Sequence, residues 1–526
     1  TLTYIEDDIA VIHRFLETAV CDEVFKDPRC QLFFLEDSEE GVEVIKSIIW
    51  ALFTKDVALV CSPYYERVKM DVFKEIEKRW LFESSEIHAV LDEYMHWGIP
   101  YFRNFWPNLF QLVGAYSTKP LFNAFKGIPA IVVAAGPSLK DHFDQLKSLK
   151  NNAVIISGGS AINALSEHGV MPHFAAGIDP NPTQYIRFRQ NLAFEIPFFF
   201  RTRILPDALA MVHGPKLYLR GGDGYNTSDW FEDKLHIKGK ILGGGHSVAN
   251  FCIEIAQSLG CSPIVLVGFD LSYGKNLEPY APGVHILGVD DFSQVQGPAI
   301  QWENVRGEQV STEWKWVVEA EWIQEFKKKH SKVKFVNVSE SGLKIEGVTV
   351  KSFEDVLQLF SKEYDLDGKI HEILEEAGKL KVCPKDLYKL IAKMYDSLSK
   401  ALVFLDSIVA LLDLEKYTSR QELLEDAEFI LAEQELHGEI AYLYILEVFD
   451  RMRTKLDIMQ VEFYAHPERN TDELWVMEKR LQKEHFLFLK EVAVCNQMLI
   501  AKTIQELQYQ GKDTKLFSPK TPVRWA

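Results

Sequence analysis

The sequence has 526 residues, of which 47% are hydrophobic and 25% charged, and its formal net charge is −18. This length and ordinary globular composition predict about three domains with more than one core. The acidic balance argues against sequence-independent binding to nucleic acid, which needs a basic surface. It leaves a nucleotide substrate open, because the charge of one pocket is independent of the total.

The cysteines are scattered and form no C-x-x-C pair; they are Cys21, Cys30, Cys61, Cys252, Cys261, Cys383 and Cys495. This spacing is typical of reduced thiols, not of a disulfide framework or a zinc site, and predicts a cytoplasmic protein. No signal-peptide pattern and no apolar run of about eighteen residues is present, so no membrane span is expected. The sequence starts with Thr1, which leaves the completeness of the N-terminus open.

Three regions differ in pattern along the chain. Residues 1–125 mix short apolar runs with helical patterns, which predicts a small N-terminal α/β domain. Residues 361–526 carry long amphipathic segments almost free of glycine and predict a C-terminal all-α bundle. These helices are also a candidate interface for a homo-oligomer.

Residues 126–360 alternate between strand and helix patterns. Candidate strands cover residues 130–135, 153–157, 174–178, 197–202, 216–219, 263–268 and 333–337, and helical patterns fill 141–150, 161–168, 248–259 and 314–329. This alternation predicts a Rossmann-like, doubly wound and mostly parallel sheet. Ligands of such sheets collect at the carboxyl ends of the strands.

The first candidate strand breaks into Gly136, Pro137 and Ser138 before a helical pattern begins. A tight structural connection is one interpretation. The other is a nucleotide phosphate held by the backbone N–H groups of the turn and the following helix. The second strand leads in the same way through Gly159 and Ser160 into a helix.

Polar residues follow the third strand in "GIDPNPTQY", where Asp179 and Asn181 stand among prolines. Asp179 can cap a turn, and a carboxylate with an amide at this position also suits a ribose or a base edge. Thr183 belongs to the same stretch.

A glycine run leads into the helical pattern of residues 248–259. Gly244 and Gly245 allow backbone amides to approach a ligand, and Ser247 can cap the helix and donate a hydroxyl to a phosphate. Half of such loops are structural only. His246 is interpreted as a surface histidine, with general base or phosphate partner as alternatives.

The strand at 263–268 is followed by Asp270, Tyr273 and Tyr280. An acid and two phenols suit a metal ion or general base together with hydroxyl donors to a leaving phosphate, although loop tyrosines are usually packing residues. Arg306 could neutralise phosphate or simply be solvated. The sequence lacks G-x-x-x-x-G-K-S/T, which excludes the P-loop NTPases, and lacks the H-E-x-x-H and G-x-S-x-G motifs.

Together, "VVAAGPSL", "GIDPN", "GGHSVANFCIEIAQSLGCSPIVLVGFDLSY", "PYAPG", "VRGEQVST" and "NVSESGLKIEG" closely resemble the motility-associated-factor (Maf) proteins. These are bacterial glycosyltransferases that modify flagellin. Their central domain is similar to a 6-hydroxymethylpterin diphosphokinase, termed MptE-like. The resemblance spans roughly residues 126–350.

A more distant similarity is to bacterial sialyltransferases that use CMP-sialic acid. It aligns residues 136–138, the Asp179–Asn181 segment and the 245–247 segment with parts that contact CMP, and it implies that Tyr273 and Tyr280 bind the phosphate as it leaves. Those enzymes place a catalytic histidine before the helix that corresponds to residues 314–329. This chain has Ser311, Thr312 and Glu313 there, so the general base is not identified.

The resemblance therefore implies transfer of a nonulosonic, sialic-acid-like sugar from a CMP-activated donor to Ser or Thr of a protein such as flagellin. One alternative is an ATP-dependent diphosphotransferase of the pterin type, which requires a carboxylate-bound Mg²⁺. The other is a catalytically inactive interaction scaffold. Mg²⁺ is a possible cofactor, and whether this protein requires a metal stays open.

Overall fold

The computed structural model describes residues 2–27, 29–36, 39–52, 57–92, 98–182, 185, 195–221, 224–284, 300–414, 417–450 and 471–523. The chain folds into two compact units, each assembled from separate stretches of sequence. The first comprises residues 1–97, 403–437 and 447–491, and the second comprises residues 98–402, 438–446 and 492–526. Within the described ranges, no helix combines the length and the apolarity needed to cross a bilayer.

The first unit begins with a small α/β arrangement. Its elements are β1 (Leu2–Glu6), α1 (Ile9–Leu16), α2 (Ala19–Phe25), β2 (Cys30–Phe34), α3 (Glu39–Leu52), α4 (Pro63–Val68) and α5 (Met70–Asp92). The strands β1 and β2 pair in parallel. The predicted α/β character of the N-terminal region is confirmed.

The second unit holds the large sheet. Its first elements are α6 (Gly98–Leu109), β3 (Tyr116–Ser117), β4 (Ala130–Val133), α7 (Phe143–Ser148), β5 (Val154–Gly158), α8 (Ala161–Glu167), β6 (Phe174–Gly177), β7 (Phe198–Phe200), α9 (Pro206–Ala210), β8 (Lys216–Tyr218), α10 (Asn226–Lys234), α11 (Val248–Ser258) and β9 (Ile264–Val267). An antiparallel hairpin of β10 (Ile300–Glu303) and β11 (Gln309–Thr312) follows. Next come α12 (Trp314–Lys329), β12 (Phe335–Asn337), β13 (Thr349–Val350), α13 (Phe353–Leu357) and α14 (Leu366–Ala377).

The large sheet has nine strands in the order β13-β12-β9-β4-β5-β6-β7-β8-β3, and every pairing is parallel. The chain runs outward from β4 to β8 on one side and then returns to place β9 on the other side of β4. Alternate residues of β4 pack into two different core clusters, Ala130 and Val132 in one and Ile131 and Val133 in the other. Both faces are therefore covered, as a doubly wound parallel sheet requires. The predicted fold class is confirmed.

The C-terminal region is helical, as predicted. Its elements are α15 (Pro384–Asp413), α16 (Arg420–Glu425), α17 (Ala427–Gly438), a π-helical turn (Tyr442–Leu446), α18 (Glu447–Asp450) and α19 (Thr471–Tyr509). Both compact units draw on these helices, and the second unit begins at residue 98. The limits of the units thus differ from the predicted boundaries at 125/126 and 360/361, and the three-domain division stays a prediction.

All seven candidate strands are present, with ends shifted by up to two residues. The sequence did not indicate the two edge strands β3 and β13, which have two residues each, or the β10–β11 hairpin. Two residues carry no periodicity, so edge strands this short leave no pattern to detect.

Candidate active site

The candidate site lies where the chain direction reverses in the sheet. Val133 at the end of β4 pairs with Ser157 of β5 on one side and with Val267 of β9 on the other. The loops that follow these strands therefore begin side by side. Such a switch point is the usual ligand position in an open α/β sheet.

The turn after β4 is tied to the loop after β9. Asp270 Oδ2 accepts hydrogen bonds from the Ser138 amide at 2.9 Å and from the Ser138 hydroxyl at 2.8 Å. The Ser138 hydroxyl also lies 3.1 Å from the Ser339 hydroxyl, which follows β12. Three loops from distant parts of the sequence thus meet at one serine.

These bonds change the interpretation of Ser138 and Asp270. The Ser138 amide and hydroxyl, predicted as phosphate donors, are engaged by a carboxylate, so a phosphate could take them only by displacing Asp270. Asp270 is buried, and this burial raises the pKa of its carboxyl group while the Ser138 donors lower it. Its geometry is that of a residue that positions the turn.

The position of Gly136 leaves no room for a side chain. Its backbone amide donates to the Gly268 carbonyl at 2.9 Å. A Cβ at this position would lie 2.4 Å from both Asp270 Oδ2 and the Gly268 oxygen. Any larger residue would therefore push the turn away from the β9 loop. Pro137 follows and opens a short 3₁₀ helix (Pro137–Asp141), and the predicted helix over residues 141–150 is α-helical from Phe143 to Ser148.

The loop after β5 brings Gly158 and Gly159 against Val248 at the start of α11 and continues into Ser160. A Cβ on Gly158 would lie 2.3 Å from Val248 Cγ1, and Gly159 has a φ of 54°, a conformation that favours glycine. Ser160 caps α8 without a side-chain hydrogen bond to the cap. The Ser160 hydroxyl therefore makes no hydrogen bond to the helix cap.

The glycine-rich loop before α11 is held by that helix's own carboxylate. The amides of Gly243 and Gly244 each donate to Glu254, at 2.8 Å in both cases. Gly244 was predicted to offer its amide to a ligand, and this prediction is not supported here because the amide is already engaged. A Cβ on Gly245 would lie 2.4 Å from Asn250 Cβ, so close packing explains that glycine.

Ser247 caps α11, as predicted: its hydroxyl oxygen accepts from the Asn250 amide at 3.2 Å. The same hydroxyl interacts with the carboxyl group of Glu319 on α12. The Asn250 side chain is fully buried, and its Nδ2 has no hydrogen-bond partner among the described residues. A buried donor without a partner at a helix start suits an anionic ligand or a bound water.

His246, beside Ser247, is exposed, yet its crowded surroundings lower the pKa of the imidazole. Its amide donates to Asn250 Oδ1 at 3.3 Å. A neutral, exposed imidazole is compatible with both the surface and the general-base interpretations.

The two tyrosines differ in environment. Tyr273 is buried against Trp316, and its hydroxyl donates to Glu313, which also binds Lys315 at 2.6 Å. Burial and the Glu313 carboxylate raise the pKa of Tyr273 well above its ordinary value. Tyr280 is half-buried beside the same site, and the amide of the next residue, Ala281, donates to the Ala135 carbonyl at 2.9 Å. Only Tyr280 therefore has a hydroxyl that is not committed to a described carboxylate.

The loop after β6 is anchored by α6. Asp179 Oδ1 accepts from the Asn181 amide at 3.0 Å, so Asp179 does form the predicted turn cap. Asn104 Nδ2 donates to the Pro180 carbonyl at 2.9 Å and thereby fixes the Asp179–Asn181 segment. Nothing in the sequence distinguished Asn104 from the packing residues around it. Thr183 lies outside the described residues.

Arg306 pairs with Glu340 at 3.0 Å and is exposed, which fits the solvated interpretation. Among the described residues, no group of three or more His, Cys, Asp or Glu side chains is arranged to hold a metal ion. The carboxylates of Asp179 and Asp270 both accept hydrogen bonds from backbone amides of the loops.

Comparison with known proteins places this site within a recognised domain. Residues 103–276 match the sequence model of the family described as "6-hydroxymethylpterin diphosphokinase MptE-like". The central region is therefore similar to the MptE-like domain. The matched residues contain the predicted site residues except Tyr280 and Arg306, so most of the candidate site lies within the matched region.

The fold extends beyond that domain. A solved structure described as the Maf glycosyltransferase from Magnetospirillum magneticum AMB-1 matches with a TM-score of 0.56 and 14% sequence identity. The match covers 98% of this chain and 77% of the other chain. The resemblance to Maf proteins with an MptE-like domain, which the motifs indicated, is thus confirmed at the level of fold. Among curated proteins, no match was found.

Proposed function

We propose that the protein is a glycosyltransferase that transfers a nonulosonic sugar from a CMP-activated donor to a Ser or Thr hydroxyl of a protein such as flagellin. The observation that carries the proposal is the convergence at Ser138 of loops 132 and 201 residues away in sequence, at the switch point of an MptE-like domain. The likeness of nearly the whole chain to a glycosyltransferase supports it.

The site offers donors for an anionic donor substrate. The Nδ2 atom of Asn250 and that of Asn337, which lies at the end of β12, are both buried and without partners among the described residues. Ser160 and Tyr280 add hydroxyl groups that bind no helix cap or carboxylate within the described part of the chain. Donors placed where charge develops on a departing phosphate stabilise the transition state.

Location and partners follow from the same proposal. The seven cysteines are free thiols, which is in keeping with the cytoplasm. The acceptor hydroxyl would have to reach the sugar at the carboxyl ends of the strands. The helical C-terminal region remains our candidate for self-association.

Two measurements test the proposal. CMP should raise the melting temperature of the full chain, because a ligand that binds only the folded state stabilises it. Incubation with a CMP-linked nonulosonic acid and a flagellin should add the mass of one or more sugars to the acceptor. Absence of both effects would overturn the proposal.

The family description favours one further candidate, the diphosphokinase reaction. MgATP, and not CMP, would then raise the melting temperature, and the product would be a pterin diphosphate. Parallel titrations with CMP, ATP and MgATP separate the two functions.

A further inference from the structure

The carboxylates of Asp270, Glu254, Glu313 and Glu319 lie on the loop after β9, on α11, or at the start of α12 and along it. Three of them are bound by protein donors. Asp270 accepts two bonds from Ser138, Glu254 accepts the amides of Gly243 and Gly244, and Glu313 accepts the Tyr273 hydroxyl and binds Lys315. All three are buried. They hold the framework of the site and have little freedom to take up a proton from a substrate.

Glu319 is the fourth and differs from them. It is half-buried, and the Ser247 hydroxyl is the only neutral donor described beside its carboxyl group. It sits on the face of α12 that turns to the site, because Trp316 one turn before it packs on Tyr273 and Trp322 one turn after it lies next to Gly245. Glu319 is therefore held between the loop after β9, which carries Tyr273, and the start of α11.

Resting on the proposed function, we infer that Glu319 is the catalytic base that deprotonates the acceptor hydroxyl. Its carboxylate takes the proton as the acceptor oxygen bonds to the anomeric carbon of the sugar. The bond from that carbon to the phosphate oxygen breaks, and CMP leaves with the electron pair. Glu319 then returns its proton to solvent.

The surroundings suit this role. Burial of its carboxyl group raises the pKa of Glu319 to about 7, while Ser247 and Lys315 lower this pKa by smaller amounts. A base with a pKa near the working pH combines availability with driving force. The other titratable groups on the packed elements are His246 and Glu254 on the α11 side, Glu313 and Lys315 at the start of α12, and Tyr273 in the loop after β9. Glu254, Glu313 and Tyr273 are engaged as described above.

Asp179 is a partly exposed carboxylate at a strand end, and it provides a comparison with Glu319. It caps the Asn181 amide after β6, two strands away from β4. Its substitution should weaken donor binding without altering the pH dependence of turnover.

The experiment compares the parent chain with Glu319→Gln, Asp179→Asn and the control Glu325→Gln. Glu325 lies on the same helix but pairs with Lys328 at 2.7 Å outside the site. Turnover of a CMP-linked nonulosonic acid with a protein acceptor is measured from pH 5.5 to 9. The parental kcat should fall as the pH drops through about 7, the range in which the Glu319 carboxylate becomes protonated.

Glu319→Gln should lower kcat by about 10²- to 10⁴-fold, the usual contribution of a general base, with the KM for the donor unchanged and the acidic limb lost. Glu325→Gln should behave as the parent. A Glu319→Gln variant that keeps the parental kcat and its acidic limb would overturn the inference alone. A parent that releases no CMP at any pH would overturn the proposed function, and the inference with it.

Thermal unfolding provides a readout independent of turnover. The folded-state pKa of Glu319 lies above the value of about 4.3 for an exposed glutamate, so the folded chain holds a proton that the unfolded chain has lost between those values. The resulting stability is fully present below about pH 4.3 and is lost as the pH rises through about 7. The melting temperature of Glu319→Gln, taken relative to that of the parent at the same pH, should therefore be higher at pH 8 than at pH 5. An identical difference in melting temperature at both pH values would contradict a raised pKa of the Glu319 carboxyl group.

Discussion

Asp270 Oδ2 receives both the backbone amide and the hydroxyl of Ser138, a residue 132 positions earlier in the sequence. Because both donors point to one oxygen, an asparagine that presents its Oδ1 there can replace the aspartate as an acceptor. An alanine cannot. This difference separates a positioning role of Asp270 from a role that needs its charge.

Asp270→Ala should lower the free energy of unfolding by about 1–3 kcal/mol, the cost of leaving buried donors unpaired, and should abolish nucleotide binding. Asp270→Asn should keep most of the stability and the affinity. Chemical denaturation and calorimetric titration with CMP measure both. Asp144→Ala, whose side chain is 99% exposed, should change stability by no more than about 0.5 kcal/mol. If Asp270→Asn binds CMP but loses turnover as completely as the alanine variant, Asp270 acts in the reaction.

Ser138 and Ser160 should respond differently to alanine. The Ser138 hydroxyl bridges Asp270 and Ser339, so Ser138→Ala should cost about 1 kcal/mol of stability and weaken CMP binding. Ser160 makes no side-chain cap bond, so Ser160→Ala should leave the melting temperature unchanged and reduce only CMP affinity. Equal losses of stability in both variants would show that the second loop is tied down by bonds we have not assigned.

Glu254 should slow the hydrogen exchange of two backbone amides in the glycine-rich loop before α11. The backbone amides of Gly243 and Gly244 should exchange slowly with solvent in the parent, because each donates to a Glu254 oxygen. Glu254→Gln offers one acceptor oxygen, so at least one of the two amides should lose protection. Glu325→Gln serves as the control. Fast exchange of both amides in the parent would argue that the loop is free to bind a phosphate.

Substitution of Tyr273 should affect stability, whereas substitution of Tyr280 should affect turnover. Tyr273→Phe removes a buried bond to Glu313 and should cost about 1–3 kcal/mol. Tyr280→Phe should not affect stability, but it should lower the rate of CMP release about a hundredfold, the typical cost of losing one transition-state donor. Denaturation curves and steady-state kinetics test both. A Tyr280→Phe variant with parental turnover would remove Tyr280 from the site.

The sequence was sufficient for the central fold because buried parallel strands have a strong signature. Runs such as "AIVV" and "IVLV" are apolar on both faces, and each is followed by small or polar residues. The positions of the strand ends, and with them residues 136–138 and 268–273, follow from that pattern. Their meeting at a switch point also follows once the strand order is known.

The partners of the site residues could not be predicted. Glu254 and Glu319 lie on amphipathic helices where a carboxylate is usually solvated, and the local sequence carries no information about the loop that each helix faces. Glu254 was therefore not expected to bind the amides of Gly243 and Gly244. In the same way, the sequence showed Ser138 as a free donor because Asp270 and Ser339 approach it only through the tertiary fold.

The most direct test of the proposed transferase is the release of CMP from a CMP-linked nonulosonic acid in the presence of a protein acceptor, measured with and without EDTA. Donation of hydroxyl and amide protons to the leaving phosphate needs no metal, whereas diphosphate transfer depends on Mg²⁺. We predict that CMP is released at the same rate in EDTA and that Tyr280→Phe slows this release about a hundredfold. Turnover that stops in EDTA while Tyr280→Phe keeps the full rate would contradict the account.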